Sequence, residues 1–176
     1  MHLRSLRWPD DRAALQTLDT SFTTERVYHV VADGLTFGLR ASPIGPPLHK
    51  AYPLAADLDD FPLCTQVVVA EVDAVVAGVA ALKLETWNRR AVLWHLYIAP
   101  THRGQGIGHA LINAMIDAAQ AHDARCLWLE TQNSNYGAIQ FYQRVGFRWC
   151  GLDMSLYDPH DVTPGETALF FVRDLT

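Results

Sequence analysis

The chain has 176 residues, 49% hydrophobic and 19% charged, which suits one domain able to bury a core. With 14 Lys and Arg against 19 Asp and Glu, its formal net charge of −5 argues against nucleic acid as a partner, because phosphate binding needs a basic face. The three cysteines, Cys64, Cys126 and Cys150, stand far apart with no C-x-x-C pair. They read as reduced thiols of a cytoplasmic protein rather than a disulfide framework or a zinc site.

The eight histidines show no H-E-x-x-H pattern and no Cys/His ligand spacing, so no metal is expected. Met1–Pro9 carries charges and no apolar run, and no stretch is long enough to cross a membrane. His2–Trp8 reads as a short edge strand. Pro9 and Asp10 suit a helix start, followed by the apolar stripe Ala13, Ala14, Leu15 and Leu18. Thr20 to Pro62 is the least legible stretch, and Ser42-Pro43-Ile44-Gly45-Pro46-Pro47 within it reads as loop. Val67–Glu71 and Val75–Leu84 are β-rich and, joined by Val72-Asp73-Ala74, form an expected antiparallel hairpin.

Ala91–Ile98 is a further apolar run. After it comes a glycine-rich turn, then a helix from Ile107 to His122 with Ile107, Leu111, Met115, Ala118 and Ala119 on one face. Arg125–Thr131 reads as a short buried strand. A second helix, Asn135–Val145, presents Ala138, Phe141, Tyr142 and Val145, with Ser134 or Asn135 as its cap and Gly146 as its stop. Phe147–Tyr157 and Glu166–Val172 complete the pattern as strands. This order predicts a mixed α/β fold.

The turn Arg103-Gly104-Gln105-Gly106-Ile107-Gly108 carries the chemistry. Glycines there let the backbone approach a ligand, and the following helix offers unpaired N–H groups and a positive dipole end. A pyrophosphate fits such a site, with Arg103 adding charge. A P-loop is excluded, since no lysine lies between Ala91 and Gly151. A G-x-G-x-x-G fingerprint fails in both registers, at His109 and at Leu111. Glu130 stands where a ribose-binding acid would, but the upstream hairpin does not belong to a doubly wound fold.

Leu96 to Gly108 resembles the acetyl-CoA motif of the GNAT superfamily of N-acetyltransferases, R/Q-x-x-G-x-G/A after a strand. Asn135-Tyr136-Gly137-Ala138-Ile139-Gln140-Phe141-Tyr142, with Gly146-Phe147, matches that family's second signature, N-x-x-A-x-x-F-Y then G-F. A narrower likeness is to streptothricin-type acetyltransferases, through Leu129-Glu130-Thr131-Gln132, Gly151-x-Asp153, Leu156-Tyr157 and Glu166-x-Ala168-Leu169. That subgroup carries an acidic pair where this chain has Trp94 and His95.

The resemblance implies the GNAT fold, a largely antiparallel sheet flanked by helices. It implies a single domain over residues 1–176, with 1–66 on the acceptor side and 67–176 as the acetyl-CoA-binding core. It implies acetyl transfer from acetyl-CoA to a primary amine, such as that of a small-molecule antibiotic. Leu96, Tyr97 and Ile98 are expected to take the thioester carbonyl and pantetheine arm, Arg103 to Gly108 the pyrophosphate. Asn135 and Ala138 are expected at the cofactor arm, and Tyr142 as proton donor to the sulfur.

His95, titratable near neutrality, is the first candidate base; alternation places it with Leu93 and Tyr97. Glu85, Glu130 and Asp153, or a water chain, are the alternatives. A protein N-terminus or lysine as acceptor, and a non-catalytic acyl-CoA-binding module, remain as other readings. Family members often dimerise through the last strands, which makes a homodimer an expectation here.

Overall fold

A computed structural model describes residues 1–175. In chain order these form β1 (His2–Ser5), α1 (Arg12–Gln16), β2 (Phe22–Asp33), β3 (Thr36–Lys50), β4 (Gln66–Val72), β5 (Val75–Glu85), β6 (Arg90–Ile98), α2 (Ile107–Ala121), β7 (Cys126–Gln132), α3 (Tyr136–Arg144), β8 (Arg148–Asp153) and β9 (Ala168–Asp174). Short 3-10 turns cover Leu54–Ala56, Leu58–Leu63, Thr86–Asn88 and Pro100–His102. The chain divides into two compact units. One holds Met1–Ser21, Ala51–Trp128 and the chain from Asp174; the other holds Phe22–Lys50 and Leu129–Arg173.

In the first unit β1, β4, β5 and β6 pair antiparallel in that order, and β6 then pairs parallel with the start of β7. The expected β4–β5 hairpin forms. Asp73 and Ala74 take φ of 50° and 64°, the paired positive angles of a turn whose twist matches its strands. Leu15, Leu54, Leu58, Phe61, Val67, Val69, Val79 and Ala81 pack as one core on one sheet face. The first strand is shorter than its apolar pattern suggested, and α1 starts at Arg12 rather than Pro9. Asp11, before it, is buried and tied to Arg4 (2.7 Å) and to the Arg7 N–H (2.6 Å), while Arg4 also reaches Glu71 on β4.

The second unit contains the β2–β3 ribbon and, separately, the end of β7, then β9 and β8. The proline-rich stretch 42–47 lies inside β3 and is not the expected loop. Arg26 pairs with Pro43 and Thr24 with Leu48, so residues 44–47 bulge out opposite Glu25 alone. Prolines, which have no N–H for a ladder, sit where the ladder is interrupted. The β8 strand stops at Asp153, short of Tyr157, because Asp153 turns back to accept from the Ser155 N–H (2.7 Å) and hydroxyl (2.8 Å).

Gly78, on β5, sits where the end of β6 and α2 converge. A Cβ there would lie 2.8 Å from the Tyr97 carbonyl oxygen, 3.3 Å from the Ile98 side chain and 3.4 Å from Leu111. Backbone cannot yield as a flexible side chain does. Gly78→Ala is therefore expected to destabilise the protein by about 1–3 kcal/mol, read as a lowered urea midpoint with unchanged slope.

Candidate active site

One extra residue in β6 decides which side chains of that strand face which way. Leu93 pairs with Leu82 and His95 with Ala81, so Trp94 has no opposite number and forms a bulge. Ala81 and Leu82 point to opposite faces, and their partners follow them. His95 therefore shares a face with Tyr97 but not with Leu93, which corrects the simple alternation. On that face His95 stacks on Phe61 at 4.8 Å and lies 5.8 Å from the Tyr97 ring. Leu96 and Ile98 take the other face, toward α2.

His95 is 6% exposed and its Nε2 is buried without a hydrogen bond. Burial pushes its imidazole down to about 4, against the pull of Asp60 and helped by Lys83, so the ring is neutral at physiological pH. An acid does reach this place, from the 3-10 turn and not from the strand. The Asp60 carboxylate accepts from the Trp94 indole (3.2 Å) and stands 3.7 Å from Lys83, whose ammonium sits 3.7 Å above the Trp94 ring. Asp57 beside it is raised by burial and by the Asp60 charge.

Pairing of β6 with β7 runs only from Arg90–Cys126 to Val92–Trp128, so the strand ladder on that side ends before Leu96, Tyr97 and Ile98. An extended peptide-like arm is the natural guest of such a strand end. Beyond it, Gly104 and Gly106 take φ of 76° and 84°, and Gly106 is the N-cap of α2. Apart from their own chain neighbours, no atom stands within 4 Å of where their Cβ atoms would be, so the turn is open to a ligand. Arg103 donates to the carbonyls of Ile98 (2.9 Å) and Ser21 (2.6 Å), and Gln105 to that of Thr101 (3.1 Å). Arg103 thus braces the turn. The first-turn amides of α2, from Ile107 and Gly108, follow it, and Ile107 is buried.

The second signature has a capping explanation. The Asn135 side chain accepts from the Ala138 N–H (3.2 Å) and caps α3. At the other end Gly146, at φ 89°, donates to Gln143 and Phe147 donates to Tyr142, the pair of bonds that closes a Schellman motif. The Tyr142 ring, 8% exposed, lies 5.8 Å from Phe147 and 6.4 Å from Phe171. Ile139 is buried on this helix and escaped the sequence reading, because it stands one residue beyond Ala138 in the stripe.

The other candidate carboxylates differ in their surroundings. Glu85 is committed to Arg90 (2.7 Å) and Asn88 (3.1 Å). Asp153 is held below the usual carboxylate range by its hydrogen bonds from Ser155. Glu130 accepts a hydrogen bond from the Tyr157 hydroxyl, and burial raises its carboxyl. Sequence reasoning missed Asn133 altogether. It donates to the carbonyls of Tyr28 (2.7 Å) and Gly165 (3.1 Å) and accepts from the Thr167 N–H (2.9 Å), joining three segments just ahead of α3. Lys50 pairs with the buried Glu166 at 2.7 Å. Among the described residues no group of three or more His, Cys, Asp or Glu gathers as a metal site, and no helix is long and apolar enough to cross a membrane.

Residues 37–147 match the model of the acetyltransferase (GNAT) family. A streptothricin acetyltransferase of Streptomyces lavendulae is 41% identical over 175 residues, covering 95% of this chain and 91% of that protein. The crystal structure of nourseothricin acetyltransferase superposes with a TM-score of 0.89 at 38% identity, covering 99% of this chain and 98% of the other. A Bacillus anthracis structure in complex with acetyl coenzyme A, 22% identical, shares the fold with a TM-score of 0.82 over 99% of this chain and 97% of its own.

The neutral His95 has a thermodynamic signature. Its folded value, about 4, lies below the unfolded value of about 6.5, so between those pH values the unfolded chain binds a proton that the folded one refuses. Stability is complete above pH 6.5 and falls as pH drops toward 4. His95→Phe, which keeps a ring against Phe61, is expected to remove about 2 kcal/mol of the loss seen between pH 7 and 4.5 in urea titrations.

Proposed function

The chain belongs to the GNAT acetyltransferase family, and from that premise we propose that it acetylates a primary amine of a cationic antibiotic of the streptothricin class. It is an acetyl-CoA-dependent N-acetyltransferase acting on a small-molecule amine. The finer reading of the acceptor rests above all on the 41% identity, over 95% of this chain, to the Streptomyces lavendulae streptothricin acetyltransferase. The net charge of −5 suits a polycationic acceptor. The three free thiols suit the reducing cytoplasm, where we place the enzyme.

The reaction sets three tasks. The donor must be held, the thioester oxygen stabilised as it gains charge, and the departing thiolate protonated. We assign the first to the turn Arg103–Gly108. The open Gly104 and Gly106 and the first amides of α2 would receive the pyrophosphate, with Arg103 and Gln105 keeping the turn in shape. Leu96, Tyr97 and Ile98 would receive the pantetheine arm and thioester carbonyl through main-chain groups, supported by the end of strand pairing at Val92. Asn135 serves as cap, and through Ala138 it fixes the first turn of α3.

Tyr142 is assigned as the proton donor to sulfur. Its support is the signature it belongs to and the two caps that fix its helix at both ends. His95 is assigned a positioning role: a neutral imidazole of this kind is a weak base at pH 7, and its stacking on Phe61 holds the β6 bulge in shape. A loss of rate in His95→Gln that is equal at every pH above 6 is expected; a loss that varies with pH would restore it as the base.

Thiol release from acetyl-CoA, followed over a panel of amines with streptothricin among them, tests the function. Streptothricin is expected to give saturable release, and Tyr142→Phe to lower kcat by about 100-fold or more while leaving the acetyl-CoA-induced rise in Tm intact. Release without any acceptor dependence would overturn the reading.

A further inference from the structure

The β2–β3 ribbon is a two-stranded sheet with no third strand. Its base is held within its own unit. Tyr28 donates its N–H to the Asn133 carbonyl (3.0 Å), accepts at its own carbonyl from the Asn133 side chain (2.7 Å), and stacks its ring on Tyr136 at 5.4 Å. Beyond Tyr28 the ribbon leaves these anchors. Val31 is 44% exposed, Phe37 is 45% exposed, and Leu35 at the tip is 99% exposed. An isolated hairpin is marginal in water, and further strands are needed before such a sheet is secure.

The ladder fixes which backbone groups of the outer half are free. The Tyr28 N–H and C=O both point to Asn133, away from β3, so those of Val30 and Ala32 point the same way. The turn gives the same answer. Asp33 and Thr36 flank the two-residue turn Gly34-Leu35 and form its closing hydrogen-bonded pair, which puts the groups of His29 and Val31 inside the ribbon and those of Val30 and Ala32 outside. Among the described residues no other segment bonds to Val30 or Ala32. Prolines, bulges and charges are the usual guards of a strand edge. Pro43, Pro46, Pro47 and the 44–47 bulge stand on β3, whereas Val30-Val31-Ala32 carries no such guard.

The ribbon also holds unmet charge of both signs on one face. His29 pairs with Arg40 in the ladder, and Asp33 lies on the same face of β2 as His29. None of the three forms an ion pair among the described residues.

We infer that the Val30–Ala32 edge of β2 is a homodimer contact, paired antiparallel with the same edge of a second copy about a two-fold axis at Val31. In this register Val30 lies opposite the partner's Ala32 and exchanges both backbone hydrogen bonds with it, and symmetry repeats the pair. Val31 meets the partner's Val31. His29 faces the partner's Asp33 on either side of the axis, with Arg40 in the same row, so opposite charges match. A two-fold at Val30 would need the Tyr28 groups that Asn133 already holds, and one at Ala32 would run into the turn at Gly34. The two ribbons become one four-stranded sheet, whose other face carries Val30, Ala32, Phe37 and Leu39 of both copies. This surface is distinct from the last strands, where the family resemblance puts a dimer. The contact is small, so the dimer belongs to the weak and reversible class, with a Kd of about 10–100 µM.

Sedimentation velocity of the whole chain, diluted from about 300 µM to about 1 µM, tests the contact. The wild-type protein is expected to pass from dimer to monomer with no larger species. Ala32→Pro removes an N–H that the ribbon itself does not use, and is expected to stay monomeric with an unchanged Tm. His29→Glu sets like charges opposite each other and is expected to weaken the dimer at least tenfold. Adding Asp33→Lys to it reverses both signs and is expected to restore the dimer, an outcome that misfolding cannot imitate. A wild-type protein that stays monomeric throughout overturns the inference. So does a dimer that persists in Ala32→Pro and His29→Glu, a double variant that fails to recover, or growth into assemblies larger than a dimer.

Discussion

The extra residue at Trp94 is the constraint on which the two faces of β6 depend. A regular β6 would send His95 to the face of Leu93 and Tyr97 alike. With the bulge, Leu93 and His95 part company, and His95 and Tyr97 join the core under Phe61 while Leu96 and Ile98 turn toward α2. The bulge is held from outside by the Asp60 and Lys83 contacts to the Trp94 ring, and from inside by the His95–Phe61 stack. Each side chain around it thus has a reason to be aromatic or charged that needs no catalytic role. The histidine that the sequence offers as a candidate base thus has a packing duty in the fold, stacked on Phe61.

The α3 signature teaches the converse. Its residues looked like a cofactor motif, and each has a conformational duty as well. Asn135 satisfies the Ala138 amide, Gly146 supplies the positive φ, and Phe147 closes the Schellman bond while packing its ring on Tyr142. Tyr142 is the C-terminal anchor of that motif. A helix pinned at both ends cannot rotate or slide, so the hydroxyl at its last turn is held in one place.

Legibility followed interaction range. The β4–β5 hairpin, α2 and α3 were readable because turn angles, periodicity and caps are local, as at Asp73, Ile107 and Asn135. The fold class followed from their order. The β2–β3 ribbon was not readable. Its signal was masked by Pro43, Pro46 and Pro47; Pro46 and Pro47 lie in the stretch 44–47 that leaves the ladder, and Pro43 sits at its edge, opposite Arg26. Nor were Asn133, Lys50–Glu166 or Glu130–Tyr157 visible as pairs, since their partners lie 27 to 116 residues apart and no periodicity connects them.

Those same long-range polar contacts share a second property. The family match ends at residue 147, so Tyr157, Gly165, Glu166 and Thr167 all lie beyond it. The family model covers the glycine turn and the capped helix. The segment after β8 instead supplies hydroxyl, carboxylate and backbone groups to Glu130, Lys50 and Asn133. Acetyl-CoA is the same molecule for every member, and a local motif suffices to hold it. Acceptors differ, and recognising a cation in a partly buried place demands polar groups whose own hydrogen bonds are met by the fold. These contacts are assembled from distant segments, as where Tyr157 meets Glu130 and Lys50 meets Glu166. The polar contacts of Glu130, Lys50 and Asn133 therefore reside where sequence motifs are weakest, brought together only by the folded chain.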